Sequence, residues 1–127
     1  MAAKFKLVPN PTFTIPVMIP RAGEEDGELK ITFKHMKQEQ LKAMQERFAE
    51  EITEIIEKAN ENTSPSGLEL IQQPIMVKFL MEIACGWDLS DEWSEENLMM
   101  LTSSFPRAFD TITVAYQNEL WCLRKKP

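Results

Sequence analysis

Phe13, Ile15, Val17 and Ile19 alternate with Thr12, Thr14, Pro16 and Met18. A period of two marks a half-buried strand. Pro16 cannot donate to a ladder, so this strand belongs at a sheet edge, or Pro16 faces away from its neighbour. Leu29, Ile31 and Phe33 alternate with Lys30, Thr32 and Lys34 as a second strand. Between them RAGEEDGEL reads as a charged loop punctuated by Gly23 and Gly27. The two strands predict an antiparallel hairpin, with Lys4 to Val8 available as a third strand. A lone hairpin is marginal in water, so it must pack on helices or pair with another copy.

The period then lengthens. Leu41, Met44, Phe48, Ile52, Ile55, Ile56 and Ala59 recur at steps of three and four, predicting one helix over Gln38 to Asn60. Lys42 and Glu46, Arg47 and Glu51, and Glu54 and Lys58 are spaced for ion pairs along it. NENTSPSG ends that helix. Leu68 to Cys85 is apolar, with Pro74 inside it. Proline suits a first turn and breaks an interior, so the firm helix is Pro74 to Ala84, with room for one separate turn before it. Gly86 follows as a C′ residue. Ser94 is placed to cap a short helix that carries Glu95 and Glu96 in its first turn and ends near Ser103. Ser104 is placed to cap the next, with Pro106 in its first turn. Phe105, Phe109, Ile112, Tyr116, Leu120 and Leu123 keep helical spacing to the end. The fold class is therefore α+β, mostly α: an N-terminal hairpin, then four to five helices. At 127 residues the chain is expected to be one domain, with a β-rich segment 1–36, a helical part 37–123 and a basic tail 124–127. Phe48, Phe79, Ile112 and Tyr116 are expected in the core.

Charge sharpens this outline. The net charge is −6. Glu46 to Glu96 holds thirteen acids against three bases, a net of −10, between ends of +2 each. That balance argues against nucleic acid, because phosphate contacts need clustered Lys and Arg. It suits a solvated acidic surface, basic protein partners, or head-to-tail self-association. No apolar run reaches the length of a membrane span, and MAAKFKLVPNP lacks the apolar core of a signal peptide, so an intracellular protein is expected.

Candidate chemistry is sparse. His35 is the one histidine, with no second to join it as metal ligand or base. Cys85 and Cys122 sit in apolar runs and read as buried free thiols. Glu24, Glu25 and Asp26 lack the alternating spacing of a calcium loop. No glycine pattern cradles a phosphate, no cofactor is called for, and no enzymatic activity is expected. The eight methionines, Trp87 and Trp93 change the picture more. Core filling is the ordinary role of methionine. Yet Leu98, Met99, Met100 and Leu101 are consecutive, and one helix face cannot bury all four against a single neighbour. Trp87, Trp93, Met99 and Met100 are therefore the candidates for partner or subunit contact.

Trp87-Asp88-Leu89, an acidic linker, Trp93-Ser94, Glu96-Asn97-Leu98, a short helix, Phe105-Pro106, and a last helix with Ile112 and Tyr116 form a connected pattern. It resembles the phage tail assembly chaperones of long-tailed, lambda-like phages, nearest to those of the HK group of lambdoid phages. FKLVPNPTFTIPVMIPRAG followed by ITFKHMKQEQL is similar to that family's start, so the resemblance runs from Phe5 to Trp121. It implies a non-enzymatic assembly factor, small and helix-rich. Such a protein binds the tape measure protein in the host cell cytoplasm, keeps it soluble, helps tail tube subunits polymerise around it, and is absent from the mature virion. The family's longer form, made by a −1 ribosomal frameshift, recruits the tail tube protein. Arg124, Lys125 and Lys126, where tandem Lys codons can form a slippery run, are the expected frameshift-encoded tail. Many copies coating one long partner would gain avidity, so a homo-oligomer is expected. A small acidic adaptor, such as a secretion-type chaperone, and a minor structural head–tail or tail protein of the virion share the same bulk features.

Overall fold

The computed structural model describes residues 4–59 and 63–123. The basic residues Arg124, Lys125 and Lys126 lie outside them. The fold is α+β, with strands β1 (Thr12–Arg21), β2 (Glu24–Lys34) and β3 (Ala84–Trp87) and helices α1 (Gln38–Glu57), α2 (Pro65–Ile83), α3 (Glu95–Ser104) and α4 (Ala108–Leu120).

β1 and β2 pair antiparallel, with Phe13 opposite Phe33, Ile15 opposite Ile31 and Val17 opposite Leu29. The alternation thus puts one apolar face of the hairpin on the helices, and Val17, Ile19, Leu29, Ile31 and Phe33 are buried. Thr14 and Thr32 share a 2.9 Å hydroxyl hydrogen bond on the opposite face. The order β1-β2-β3 leaves β1 at an edge, where Pro16 costs no ladder bond. The charged segment is not a loop. Only Ala22 and Gly23 turn, with Gly23 at φ +75°, a conformation that favours glycine, and β2 begins at Glu24. Pairing needs backbone partners rather than apolar side chains, so a polar hairpin tip can extend past the core.

The third strand is not Lys4–Val8 but Ala84–Trp87. Ile83 is fully buried at the end of α2, and the chain leaves it extended along the free edge of β2, with Ile31 opposite Trp87 and Phe33 opposite Ala84. Gly86 accordingly lies in β3 and caps no helix. Pro9 and Pro11 separate Lys4–Val8 from β1, and that segment lies exposed outside the sheet.

α1 buries Leu41 and Met44, while Ile56 is exposed: the apolar stripe outruns the core that covers it. Lys42 lies 3.9 Å from Glu46 as its spacing suggests. Arg47 and Glu51 instead reach across to α2, pairing with Glu82 at 3.1 Å and Lys78 at 3.0 Å. These pairs fix α1 and α2 as antiparallel neighbours.

α2 starts nine residues before Pro74 and runs through it. The Ser64 hydroxyl accepts from the Gly67 N–H at 3.1 Å, and Pro65 occupies the first turn. Pro74 is tolerated inside because it and Leu70, whose carbonyl it leaves without a helical donor, both face solvent. Ser94 caps α3, accepting from the Asn97 N–H at 3.2 Å. Ser104 caps nothing: it is the last residue of α3, and α4 begins at Ala108 after a tight connection in which the Ala108 N–H donates to the Phe105 carbonyl.

Two aromatic clusters hold the layers together. Tyr116 of α4 stacks on Phe33 and Phe13, with centroids 5.0 Å and 6.0 Å away. Phe48, Phe79 and Phe109 join α1, α2 and α4. Phe79, Ile112 and Tyr116 are buried as expected, whereas Phe48 is only half-buried, packed against the core from outside it.

Candidate functional site

The segment from Trp87 to Met100 is pinned by the polar groups between its tryptophans. Asp88 locks the end of β3 to β2: its carboxylate accepts from the Lys30 N–H at 3.0 Å, and its own N–H donates to the Lys30 carbonyl at 3.1 Å. The Trp87 indole N–H donates to the Asp91 carbonyl at 2.7 Å. Trp93 meets Trp87 edge to face, 5.0 Å between centroids at 84°. The Asn97 amide donates to the Glu92 carbonyl at 2.7 Å. Both tryptophans are half-buried and pack against the core.

The apolar run divides as helix geometry requires. Leu98 is fully buried, Met99 and Leu101 pack half-buried on the core, and Met100 is 66% exposed. Met99 also lines a shallow groove of about 570 Å³ with Ser94 and the carboxylates Glu92, Glu95 and Glu96. So the structure brings Trp87 and Trp93 together, seats Met99 at the edge of the acidic surface, and holds Met100 out to solvent.

A second groove, of about 290 Å³, opens between α2, α3 and α4. Leu70, Met76 and Phe109 give it apolar walls, and Glu69 and Asp110 add carboxylates. Gln73 lines its inner wall, buried. Its amide nitrogen lies 2.8 Å from the Met99 carbonyl, 2.8 Å from the Thr102 hydroxyl and 2.7 Å from the Ser103 hydroxyl. That one side chain ties α2 to the last turn of α3. Sequence reasoning passed over it. The signal was a glutamine in register with Val77 and Leu80 on a core-facing helix, where a polar group must find partners.

Neither cysteine is a buried thiol; both are exposed and free. Alternation in β3 turns Ala84 inward and Cys85 outward. Cys122 sits past the end of α4 at φ +56°, where the Leu123 N–H closes the helix by donating to the Asn118 carbonyl at 2.7 Å. His35, Glu119 and Cys122 line one cleft of about 220 Å³. Among the described residues no group of three or more His, Cys, Asp and Glu is disposed to hold a metal ion. No described helix is long and apolar enough to cross a membrane.

Burial pushes the pKa of Tyr116 up to about 12. Its hydroxyl donates to the Lys34 carbonyl at 2.7 Å.

An α+β fold with paired half-buried tryptophans and apolar side chains held at an acidic surface has the build of an interaction module. The chain belongs to the phage tail assembly chaperone family, whose family model matches residues 1–127, the whole sequence. Tail-related proteins are accordingly its class of partner. No curated protein and no solved structure matches the chain.

Proposed function

We propose that this tail assembly chaperone is a non-enzymatic factor that binds the tape measure protein, keeps it soluble, and promotes polymerisation of the tail tube around it. The family match over the full chain carries the reading. The surface supports it: Leu70, within the segment of net charge −10, and Met100, just beyond it, stand 63% and 66% exposed. Exposed apolar side chains can cover the apolar stripe of a long helical partner, and the surrounding carboxylates keep the complex soluble. Trp87, Trp93 and Met99 would back that surface, and Met100 would touch the partner.

The same reading includes self-association along the partner, action in the host cell cytoplasm, and absence from the mature virion. It also includes a longer product, made by a −1 frameshift at Arg124 to Lys126, that engages the tail tube protein. The coding DNA tests the last point: an overlapping −1 frame with a slippery run at those codons supports it, and a slip site elsewhere removes it. Co-expression with the tape measure protein tests the central claim. Soluble tape measure protein that co-purifies with this chain is the expected result, and Met100→Ser reduces the recovered complex. A tape measure protein that stays insoluble and unbound overturns it.

A further inference from the structure

Phe5, Leu7 and Val8 are 85%, 92% and 81% exposed, the most exposed of the large apolar side chains among the described residues. Large apolar groups left this open mark a contact surface. They alternate with charge: the segment reads Lys4-Phe5-Lys6-Leu7-Val8. The chain bends at Leu7 and Val8; drawn out straight on a partner, it would put Phe5 and Leu7 on one side and the lysines on the other. Lysine stems are long enough to bend their ammonium groups back to the rim of whatever the apolar side covers. Neither Lys4 nor Lys6 makes an ion pair among the described residues.

The groove between α2, α3 and α4 has the complementary chemistry. Its walls include Leu70, Met76 and Phe109, and it carries Glu69 and Asp110, neither of which makes an ion pair among the described residues. We propose that the arm Lys4–Val8 of one copy seats in this groove of a second copy. Phe5 and Leu7 would lie on the apolar walls, and Lys4 and Lys6 would meet Glu69 and Asp110. The inference deepens the self-association in the functional reading above and rests on it for its purpose.

Geometry favours a second copy over the chain's own groove. Pro9 and Asn10, at the root of the arm, line a cleft with Glu119, Leu120 and Cys122, at the C-terminal end of α4. The groove includes Pro106, Phe109 and Asp110, at its N-terminal start. Arm and groove therefore sit at opposite ends of a helix roughly 20 Å long. A contact between unlike surfaces at opposite ends is heterologous, so it propagates into a ring or an open spiral instead of stopping at a dimer.

The experiment uses two variants of the full chain, each changed only at exposed positions. Phe5→Ser with Leu7→Ser removes the arm's grip, and Glu69→Lys with Leu70→Ser spoils the groove. Light scattering after gel filtration should show concentration-dependent multimers of the native chain. Each double variant should self-associate about 30-fold more weakly or less. Mixed one to one, the variants hold one intact arm and one intact groove between them, so the mixture should form a complex of two chains that grows no further. A native chain that is monomeric at every concentration overturns the proposal, as do variants that assemble like the native chain or a mixture that stays monomeric. All of this is read on the purified chain, so failure here is distinct from failure to solubilise the tape measure protein.

Discussion

The hydroxyl of Tyr116 donates to the backbone carbonyl of Lys34 at 2.7 Å, joining the last helix to the end of β2 across 82 residues of sequence. The same ring stacks on Phe33, so one side chain closes the sheet against α4 by both apolar contact and hydrogen bond. Tyr116→Phe keeps the stack and deletes the bond. It should cost about 1 kcal/mol in denaturant unfolding. A variant as stable as the native protein would mean that the bond contributes nothing net.

Tyr116 also sets an alkaline limit. Burial raises its pKa to about 12 in the folded chain, against about 10 when unfolded. The folded state therefore favours the protonated form. Its contribution is fully present below about pH 10 and is lost as pH rises through about 12, to a limit of roughly 3 kcal/mol. Tyr116 is the only tyrosine, so tyrosinate absorbance reports it directly. Half-ionisation near pH 10 in the folded protein would contradict the burial.

Much of this fold was legible because burial follows simple periods. The β1 and β2 faces, the Leu41 and Met44 face of α1 and the Ser94 cap all follow from alternation, helical spacing and cap chemistry. What was not legible depends on partners distant in sequence. Ala84–Trp87 is a strand only because β2 offers a free edge, and local composition cannot show that edge. Cys85 is exposed because that strand turns it outward. Arg47 and Glu51 find partners on α2 instead of each other because the helix pairing brings closer ones. In the candidate site, the split of the Leu98 to Leu101 run was legible from geometry. The contact of Trp87 with Trp93 depends on the linker's path, and the groove on the packing of three helices.

The cysteines give a direct test of that strand placement. Cys85 and Cys122 should both react with a small thiol reagent in the native protein, giving two equivalents without denaturant. A thiol that reacts only after unfolding would move its segment back into the core.

Gln73→Leu tests the tie between α2 and α3. It removes the donor shared by the Met99 carbonyl and the Thr102 and Ser103 hydroxyls. Thr102 keeps an alternative, since its hydroxyl lies 3.0 Å from the Leu98 carbonyl. The Met99 carbonyl loses a strong donor while part-buried. The expected loss is about 1–2 kcal/mol, measured by denaturant unfolding. A larger loss accompanied by a lower m-value would show that the end of α3 detaches.

Pro74→Ala should act in the opposite direction. Proline inside a helix removes one backbone donor and is about 3 kcal/mol less favourable there than alanine. Part of that difference is cancelled, because proline also restricts the unfolded chain by about 0.4–1 kcal/mol. Pro74 is exposed, so alanine leaves no cavity and displaces no core contact. Its new N–H can donate to the carbonyl of Leu70, which faces solvent. The variant should gain roughly 1–3 kcal/mol, seen as a higher denaturant midpoint at unchanged m-value. Leu70 precedes Pro74 and Met76 follows it, and both line the groove between α2, α3 and α4. A regular helix between them shifts one wall against the other, so the more stable variant should self-associate more weakly than the native chain. Stability gained with self-association unchanged would show that Pro74 does not shape the groove. Stability lost would show that α2 needs the proline's fixed φ more than the missing hydrogen bond.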